Sequence, residues 1–231
     1  MDIDFLTLCP ELFPGPLGES VIGRAVKRDL VRLNAVDLRK FAVDARGTVD
    51  DKPYGGGPGM LMMAGPVVDA VEALRREESL VVLTSPRGEP FSQRIASELA
   101  GYGHLIIVAA QFEGVDERAI ELAVDREISL GDFVMSSGVI AAMAIADAVI
   151  RLLPGVLGDD ASSVEESHAA GLLEYPQYTR PPEFRGKKVP EVLLGGDHGK
   201  VAEWRQREME RITRERRPDL WERYMAGEFL K

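Results

Sequence analysis

Short apolar runs alternate with helix-like stretches over the first two-thirds of the chain. The runs of strand length are residues 3–8, 81–84 and 105–110, with residues 133–135 as a fourth candidate. The helical stretches between them are residues 66–75, 92–99 and 116–124. Strands that alternate with helices are typical of a parallel sheet that is covered on both faces. The pattern therefore predicts an α/β fold with a mainly parallel sheet.

The longest apolar run covers residues 139–153 and ends before Pro154. Asp147 and Arg151 interrupt it, and it is shorter than the ~20 residues that a membrane-spanning helix needs. It predicts a buried core helix and no membrane partner.

The character of the sequence changes after Pro154. Residues 155–171 are small, polar and acidic, which is typical of a flexible linker between domains. From Val201 onward the sequence is charged and helical. Its apolar anchors are Trp204, Ile212, Trp221 and Tyr224. The predicted organisation is an α/β domain at 1–158, a linker at 159–171 and a small helical C-terminal domain at 172–231.

Composition narrows the class of protein. The chain has 231 residues, of which 45% are hydrophobic and 29% charged, as is ordinary for a globular protein with a real core. The single cysteine, Cys9, excludes an internal disulfide framework and fits a reducing compartment. The first residues lack the basic start and apolar core of a signal peptide. We therefore expect a cytoplasmic location.

The net charge of −10 argues against a general nucleic-acid coat, but the cations are segregated along the chain. They form three groups: Arg24, Lys27, Arg28, Arg32, Arg39 and Lys40; Arg180, Arg185, Lys187 and Lys188; and Arg205, Arg207, Arg211, Arg214, Arg216 and Arg217. Any one group is explained as a solvated helix face. The three groups together indicate an anionic partner.

Residues 52–63 read KPYGGGPGMLMM, with four glycines, two prolines and three methionines. Glycine permits backbone angles that other residues avoid, and proline fixes φ and removes a hydrogen-bond donor. We expect a shaped loop whose N–H groups approach a ligand or another backbone. The alternative is a mobile surface loop that leads into a core helix.

Three further segments follow predicted strands and carry glycine or serine: residues 84–88, 109–114 and 129–138. Ligands of open α/β sheets bind beyond the carboxyl ends of the strands, so we expect a ligand site here. The chain has neither a GxGxxG fingerprint nor a GxxxxGK[ST] motif, so no dinucleotide or P-loop site is predicted. The three histidines lack the spacing of metal ligands, and no metal-binding residue is predicted.

These segments belong to a longer series of motifs. In chain order the motifs are TVDDKPYGGGPGM (48–60), SPRG (85–88), EGVDER (113–118), GDFV (131–134), PGVLG (154–158) and YTRP (178–181). Through them the chain resembles the bacterial tRNA (guanine-N(1)-)-methyltransferases of the SPOUT class over nearly its whole length. The glycine-rich loop and the YTRP segment are highly specific in combination.

The resemblance implies a fold and a cofactor that the hydrophobic pattern does not give. The α/β domain is expected to contain a deep trefoil knot, which general rules of chain connection make very rare. The three segments would be the walls of the knot and would hold S-adenosylmethionine. A homodimer with a shared active site is also implied. The implied cofactor-binding residues are Thr84, Ser85, Pro86, Ala110, Phe112, Glu113, Gly114, Leu130, Gly131, Phe133, Met135, Ser137 and Gly138.

The implied reaction is methyl transfer from S-adenosylmethionine to N(1) of the guanosine 3′ to the tRNA anticodon. That nitrogen carries a proton, so a carboxylate must remove it while a cation stabilises charge on the neighbouring carbonyl oxygen. The resemblance gives these catalytic roles to Glu166 and Arg151. The alternatives are a solvated linker charge for Glu166 and a charge that complements the helix dipole for Arg151.

The resemblance also implies tRNA contacts and a dependence on Mg²⁺, which protein carboxylates hold only loosely. The implied substrate-binding residues are Tyr54, Gly57, Pro58, Gly59, Arg180 and Arg205. Residues 52–63 are expected to pack beside the knot, where they would help to form the floor for the guanosine and the dimer contact.

Several residues depart from the family's pattern. Ala110 and Gln111 replace a glycine and an arginine, Ser137 and Val139 replace a glycine and a glutamate, and Glu166 replaces an aspartate. A Cβ would cost about 1 kcal/mol at positions 110 and 137 if these positions needed positive φ. The departures keep a second hypothesis open, namely a homologue that binds RNA and cofactor without methylating, or one with another RNA target. We expect cofactor binding to be retained.

Overall fold

The computed structural model describes residues 1–13, 15–157, 167 and 171–229. The chain divides into two compact units, Met1–Gly158 and Asp159–Lys231. The predicted linker, residues 159–171, falls mostly outside the described ranges, so the domain prediction stays a prediction.

A five-stranded parallel sheet forms the centre of the first unit. The strands of this unit are β1 (Asp2–Thr7), β2 (Arg32–Asp37), β3 (Asp50–Asp51), β4 (Leu61–Met62), β5 (Ser79–Pro90), β6 (His104–Val108) and β7 (Arg126–Ser129). The sheet order is β2-β1-β6-β5-β7, and all four neighbouring pairs are parallel. The short strands β3 and β4 pair antiparallel outside this sheet. The predicted α/β class with a mainly parallel sheet is confirmed.

Helices cover both faces of the sheet, as the alternating pattern predicts. The helices of this unit are α1 (Ser20–Lys27), α2 (Ala64–Leu74), α3 (Gln93–Ala100), α4 (Glu117–Ala123) and α5 (Val139–Ile150). Side chains of α1, α3 and α5 share one buried cluster, and those of α2 and α4 share another. Along β6, Leu105 and Ile107 face the first cluster while Ile106 and Val108 face the second. This alternation follows from the two-residue period of a strand.

The predicted strands at residues 3–8, 81–84 and 105–110 are confirmed as β1, β5 and β6. The strand predicted at 133–135 is wrong, because this segment is irregular and lines a pocket. The pattern misses β2 and β7, which are the two edge strands of the sheet. Edge strands are only half-buried, so polar residues such as Arg32 and Asn34 interrupt their apolar signal.

The helix boundaries agree with the sequence signals. Ser92 caps α3, because its Oγ accepts a hydrogen bond from the N–H of Ile95 at 3.4 Å. Asp116 caps α4 by accepting from the N–H of Arg118 at 3.0 Å. The apolar run ends as a helix at Ile150, and seven residues of α5 are buried. Within the described residues, no helix is long and apolar enough to cross a membrane.

The second unit is small and mainly helical. Its elements are β8 (Glu183–Phe184), β9 (Lys187–Lys188), α6 (His198–Arg216) and α7 (Pro218–Met225). Trp204 packs against the rings of Tyr175 and Tyr178, with centroids 6.5 and 6.3 Å apart. The N–H of Leu173 donates to Thr213 Oγ1 at 2.8 Å, which ties the start of the unit to α6.

Candidate active site

The carboxyl ends of β5, β6 and β7 open into one pocket of about 210 Å³. Its lining consists of the three segments that follow these strands and the start of α5. The lining residues are Thr84, Ser85, Pro86, Ala110, Gln111, Phe112, Glu113, Gly114, Ile128, Ser129, Leu130, Gly131, Phe133, Val134, Met135, Ser136, Ser137, Gly138 and Ala141. This position is the one that open α/β sheets offer to ligands.

The first wall is an excursion of the chain out of β5. Thr84 and Glu89 both pair with Ile128, so the residues between them leave the sheet and stand over the pocket. Gly88 lets the chain come back beside β7 after this excursion. Any larger residue would place its Cβ only 2.6 Å from the carbonyl oxygen of Glu127. The SPRG motif is therefore a shaped bulge whose glycine lets two backbones touch.

Hydrogen bonds tie the three walls together. The N–H of Gly138 donates to the carbonyl oxygen of Ala110 at 2.7 Å. The N–H of Ala110 donates to Thr84 Oγ1 at 3.3 Å, and that hydroxyl donates to the carbonyl oxygen of Val108 at 3.2 Å. A Cβ on Gly138 would collide with Thr84 Oγ1 and lie 2.7 Å from the nitrogen of Ala110. The close approach of the walls therefore needs glycine at position 138.

The second wall is a tight turn with left-handed backbone angles. Phe112 has φ +58° and Gly114 has φ +117°. Such angles are uncommon for a non-glycine residue and concentrate at functional sites. Ala110 and Ser137 do not have positive φ, so the penalty of about 1 kcal/mol for a Cβ at positive φ does not apply to either residue.

The glycine-rich loop is anchored on this second wall. The N–H of Glu113 donates a hydrogen bond to the carbonyl oxygen of Met60 at 3.0 Å. The N–H of Met62 donates a hydrogen bond to the carbonyl oxygen of Gly114 at 2.9 Å. A Cβ on Gly59 would lie 2.7 Å from the carboxyl carbon of Glu113. Gly59 therefore lets the Glu113 side chain lie against the loop backbone. The expectation that this loop approaches another backbone is confirmed at Met60 and Met62, whereas nothing lies within 4 Å of a Cβ added at Gly55, Gly56 or Gly57.

One acidic side chain lines the pocket, and charged side chains lie at its rim. Glu113 is the one charged residue among the described residues of the lining. At the rim, Arg87 pairs with Glu117 at 2.9 Å and with Glu127 at 3.5 Å. The hydrogen bond to Glu117 raises the pKa of the Arg87 guanidinium. The hydrogen bond from Arg118 lowers the pKa of Asp116 just beyond the second wall.

The sequence matches a known family over most of its length. The model of the family described as tRNA (Guanine-1)-methyltransferase TrmD covers residues 1–223. The chain belongs to this family. Motifs, fold class and pocket position are those expected from the resemblance.

Relatives of this family are about half identical to the chain. A tRNA (guanine-N(1)-)-methyltransferase of Geobacter sp. (strain M21) is 52% identical over 222 residues, 95% of this chain and 89% of the relative. One of Rhodopseudomonas palustris is 54% identical over 219 residues, 94% of this chain and 88% of the relative. One of Anaeromyxobacter sp. (strain K) is 52% identical over 232 residues, 99% of this chain and 94% of the relative.

All thirteen residues predicted to bind the cofactor line the pocket. Their binding role stays a prediction. The lining residues outside this predicted set are Gln111, Ile128, Ser129, Val134, Ser136 and Ala141, of which only Ile128 and Ala141 lie outside the three segments singled out in the sequence. Ile128 and Ser129 belong to the missed strand β7. Ala141 lies one turn into α5, so a helical projection from Gly138 would have found it.

The other predicted site residues are dispersed. Arg151 is half-buried at the C-terminal cap of α5, and Glu166 lies outside the described residues. In the glycine-rich loop, Tyr54 is 97% exposed, and Gly57, Pro58 and Gly59 are exposed beside it.

In the second unit, Arg180 is exposed, and the Arg205 guanidinium lies 4.6 Å from the centroid of the Tyr175 ring. The described residues contain no group of three side chains suited to hold a metal ion. The trefoil knot stays a prediction.

Proposed function

We propose that this chain transfers a methyl group from S-adenosylmethionine to N(1) of the guanosine 3′ to the anticodon of tRNA. The main support for the proposal is that the family model matches residues 1–223. The motifs that form the three walls also line one pocket. The relatives described above are named as tRNA (guanine-N(1)-)-methyltransferases, which supports methyl transfer to guanine N(1) in tRNA.

The chemistry of the pocket suits S-adenosylmethionine. Apolar side chains such as Leu130 and Met135 suit the adenine ring, and the irregular walls would offer backbone donors and acceptors to its polar groups. Glu113, the single charged side chain among the described lining residues, favours a ligand with positive charge, and the sulfonium of this cofactor is positive. When bound, S-adenosylmethionine supplies the methyl group as an electrophilic carbon on sulfur.

The chain's own residues orient the base and accept one proton. Once bound, the cofactor would supply its methyl carbon, and the new bond from guanine N(1) to this carbon would replace the carbon–sulfur bond of the cofactor. The N(1) proton leaves, and the products are N(1)-methylguanosine and S-adenosylhomocysteine. We assign the proton to the Glu166 carboxylate, and the Arg151 guanidinium to the charge on the neighbouring carbonyl oxygen. Arg151 follows α5 directly, and that helix begins at the third wall of the pocket.

The tRNA contacts follow the same proposal. Tyr54, Gly57, Pro58 and Gly59 would contact the guanosine, while Arg180 and Arg205 would contact the tRNA from the second unit. A homodimer with a shared active site and a cytoplasmic location complete the proposal. The dependence on Mg²⁺ stays a prediction, which activity measured with and without EDTA will test.

The alternative of a non-methylating homologue loses part of its support. It was motivated by side chains at positions where the family has glycine. Ala110 and Ser137 sit in the walls without positive φ, so neither needs a distorted backbone. The remaining departures are changes of side chain at Gln111, Val139 and Glu166.

The direct test is methyl incorporation from labelled S-adenosylmethionine into tRNA with guanosine or adenosine 3′ to the anticodon. We expect incorporation only with guanosine. Arg151→Ala should lower kcat about 100-fold or more, the effect of losing one charge-stabilising donor, and should largely spare cofactor affinity in calorimetry. Arg94→Ala, an exposed arginine paired with Glu98, is the control. No incorporation by the unmutated protein would support the non-methylating homologue.

A further inference from the structure

The second unit carries a short hairpin that stands out into solvent. Strands β8 and β9 pair through Glu183 with Lys188 and Phe184 with Lys187, leaving a loop of only two residues. All twelve residues from 177 to 188 are exposed. Phe184 is 62% exposed although it belongs to a strand. A large aromatic side chain in this position covers no core, so its place in the fold does not explain it.

The charge of this segment is opposite to that of the protein. Residues 177–188 contain four cations and one carboxylate, in a chain with a net charge of −10. The carboxylate of Glu183 lies 3.9 Å from the Lys188 ammonium, a loose pairing. In the part of the chain that the structure describes, no carboxylate pairs with Arg180 or Lys187. The hairpin therefore presents cationic charge around an exposed aromatic ring.

The turn of the hairpin holds an arginine where glycine or asparagine would be easier. Arg185 has φ +50° and Gly186 has φ +78°, the pattern of a type I′ turn. A non-glycine residue at positive φ carries a backbone penalty, and such outliers point to a role for the side chain. The Arg185 guanidinium lies 5.3 Å from the centroid of the Phe184 ring. The turn thus places a cation beside the aromatic ring at the tip.

We propose that this hairpin is an RNA-contact element, in which Phe184 stacks on an unpaired base of the tRNA while Arg185 and Lys187 contact phosphates. Exposed aromatic rings among cations are the usual means of holding unpaired nucleotides, because every base has a stacking face. The excess of cations matches the polyanion and not a second copy of this acidic chain. The inference rests on the proposed function for its partner, tRNA.

The test measures Kd for unmodified tRNA by fluorescence anisotropy between 50 and 200 mM KCl. Phe184→Ala should weaken binding at least about fivefold, the lower end of the effect of one stacked base. Phe184→Trp should retain binding. Arg185→Gly should lower the slope of log Kd against log salt by about 1, as expected for one lost phosphate contact.

Two features separate a role in binding from damage to the fold. Arg185→Gly relieves the backbone penalty at positive φ, so its thermal midpoint should be unchanged or higher while its tRNA affinity falls. The affinity for S-adenosylmethionine and kcat at saturating tRNA should stay the same in every hairpin variant, with the loss appearing in the KM for tRNA. Lys200→Ala, an exposed cation paired with Asp197 at 3.2 Å, is the matched charge control.

The outcomes distinguish the two proposals. Methylation by the unmutated protein, together with unchanged tRNA affinity in Phe184→Ala and Arg185→Gly, would overturn the hairpin inference alone. Full binding by Phe184→Leu would also overturn it, because leucine keeps apolar bulk without a stacking face. Loss of tRNA binding in the hairpin variants of a protein that does not methylate would support the hairpin and remove the proposed reaction.

Discussion

Gly138 is the residue at which the pocket walls meet. Its N–H bonds the second wall, and its missing Cβ leaves room for Thr84 and Ala110. Gly138→Ala should push these walls apart and weaken S-adenosylmethionine binding about tenfold or more, equivalent to about 1.4 kcal/mol. Gly65→Ala is the matched control, because no atom lies within 4 Å of the Cβ that it would add. Equal cofactor affinities in calorimetry would show that the walls are not closed around the cofactor.

Gly59 and Gly55 form a second matched pair, in the glycine-rich loop. Both have positive φ, +77° and +84°, so alanine at either position carries a backbone penalty of about 1 kcal/mol. An added Cβ meets Glu113 only at position 59. Gly59→Ala should therefore lower methyl transfer more than Gly55→Ala does. Equal rates for the two variants in labelled-methyl assays would show that the contact between Gly59 and Glu113 does not affect methyl transfer.

His104 is fully buried at the end of the sheet away from the pocket. Its Nε2 lies 2.8 Å from Asp4 Oδ2, and its Nδ1 lies 2.6 Å from Ser79 Oγ. His104→Leu removes the hydrogen bonds to Asp4 and to Ser79, so we expect the free energy of unfolding to fall by about 2–3 kcal/mol. Urea denaturation measures the loss, with the exposed residue His198, changed to alanine, as control. The affinity for S-adenosylmethionine should change little in the folded variant.

At the scale of elements, α5 connects the third pocket wall to the proposed catalytic arginine. The chain turns sharply after this helix, and Arg28 at the C-terminal cap of α1 donates a hydrogen bond from Nη1 to the carbonyl oxygen of Gly155 at 2.9 Å. Val156 is buried in the same turn. This bond joins α1 to the segment that follows Arg151, so Arg28 is a candidate positioning residue.

Arg28→Ala should lower kcat several-fold while the affinity for S-adenosylmethionine stays the same. The reason is that misplacement of a charged group by a fraction of an ångström reduces its effect on the transition state. Arg28→Lys should restore part of the rate, since a lysine ammonium still donates to a carbonyl. Arg94→Ala controls for loss of an exposed arginine. A loss of cofactor affinity in parallel with kcat would indicate general damage to the unit.

The sequence predicts the elements whose conformation is decided mainly by their own run of apolar residues. The buried strands β1, β5 and β6 and the core helix α5 are specified by apolar runs, which single residues do not obscure. The edge strands β2 and β7 are half-polar, and their pairing is decided by neighbours that are distant in sequence. The segment 133–135 has apolar residues, but its backbone follows Gly131 at φ +149° and the pocket walls, so it does not extend as a strand.

Motifs predict the site better than periodicity does. Glycine and serine after a strand indicate a close approach, and all three such segments line one pocket. The partner in each approach is not visible in the sequence: nothing there places Gly88 on Glu127 or Gly59 on Glu113. These contacts come from register and topology. The sequence therefore predicts that a residue lines the pocket, but it does not predict which residue that side chain or backbone contacts.

At the scale of the whole molecule, the segregation of charge gives the two proposed ligands different responses to salt. The proposed cofactor pocket has one charged side chain among its described lining residues, whereas tRNA binding would use cations such as Arg185 and Lys187 against phosphates. Each neutralised phosphate contributes about 0.7 in a single strand to 0.9 in a duplex to the slope of log affinity against log salt. Three contacts would lower tRNA affinity about 20- to 40-fold between 50 and 200 mM KCl.

The affinity for S-adenosylmethionine should change little over the same range, because cofactor binding releases no counterions from a polyanion. Anisotropy with tRNA and calorimetry with the cofactor, in the same buffers, measure the two responses side by side. A tRNA affinity that does not depend on salt would contradict the assignment of the basic groups to phosphate contact. Parallel losses for both ligands would indicate that salt acts on the fold. A steep response for tRNA alone is the result that a net-acidic protein with a local cationic footprint should give.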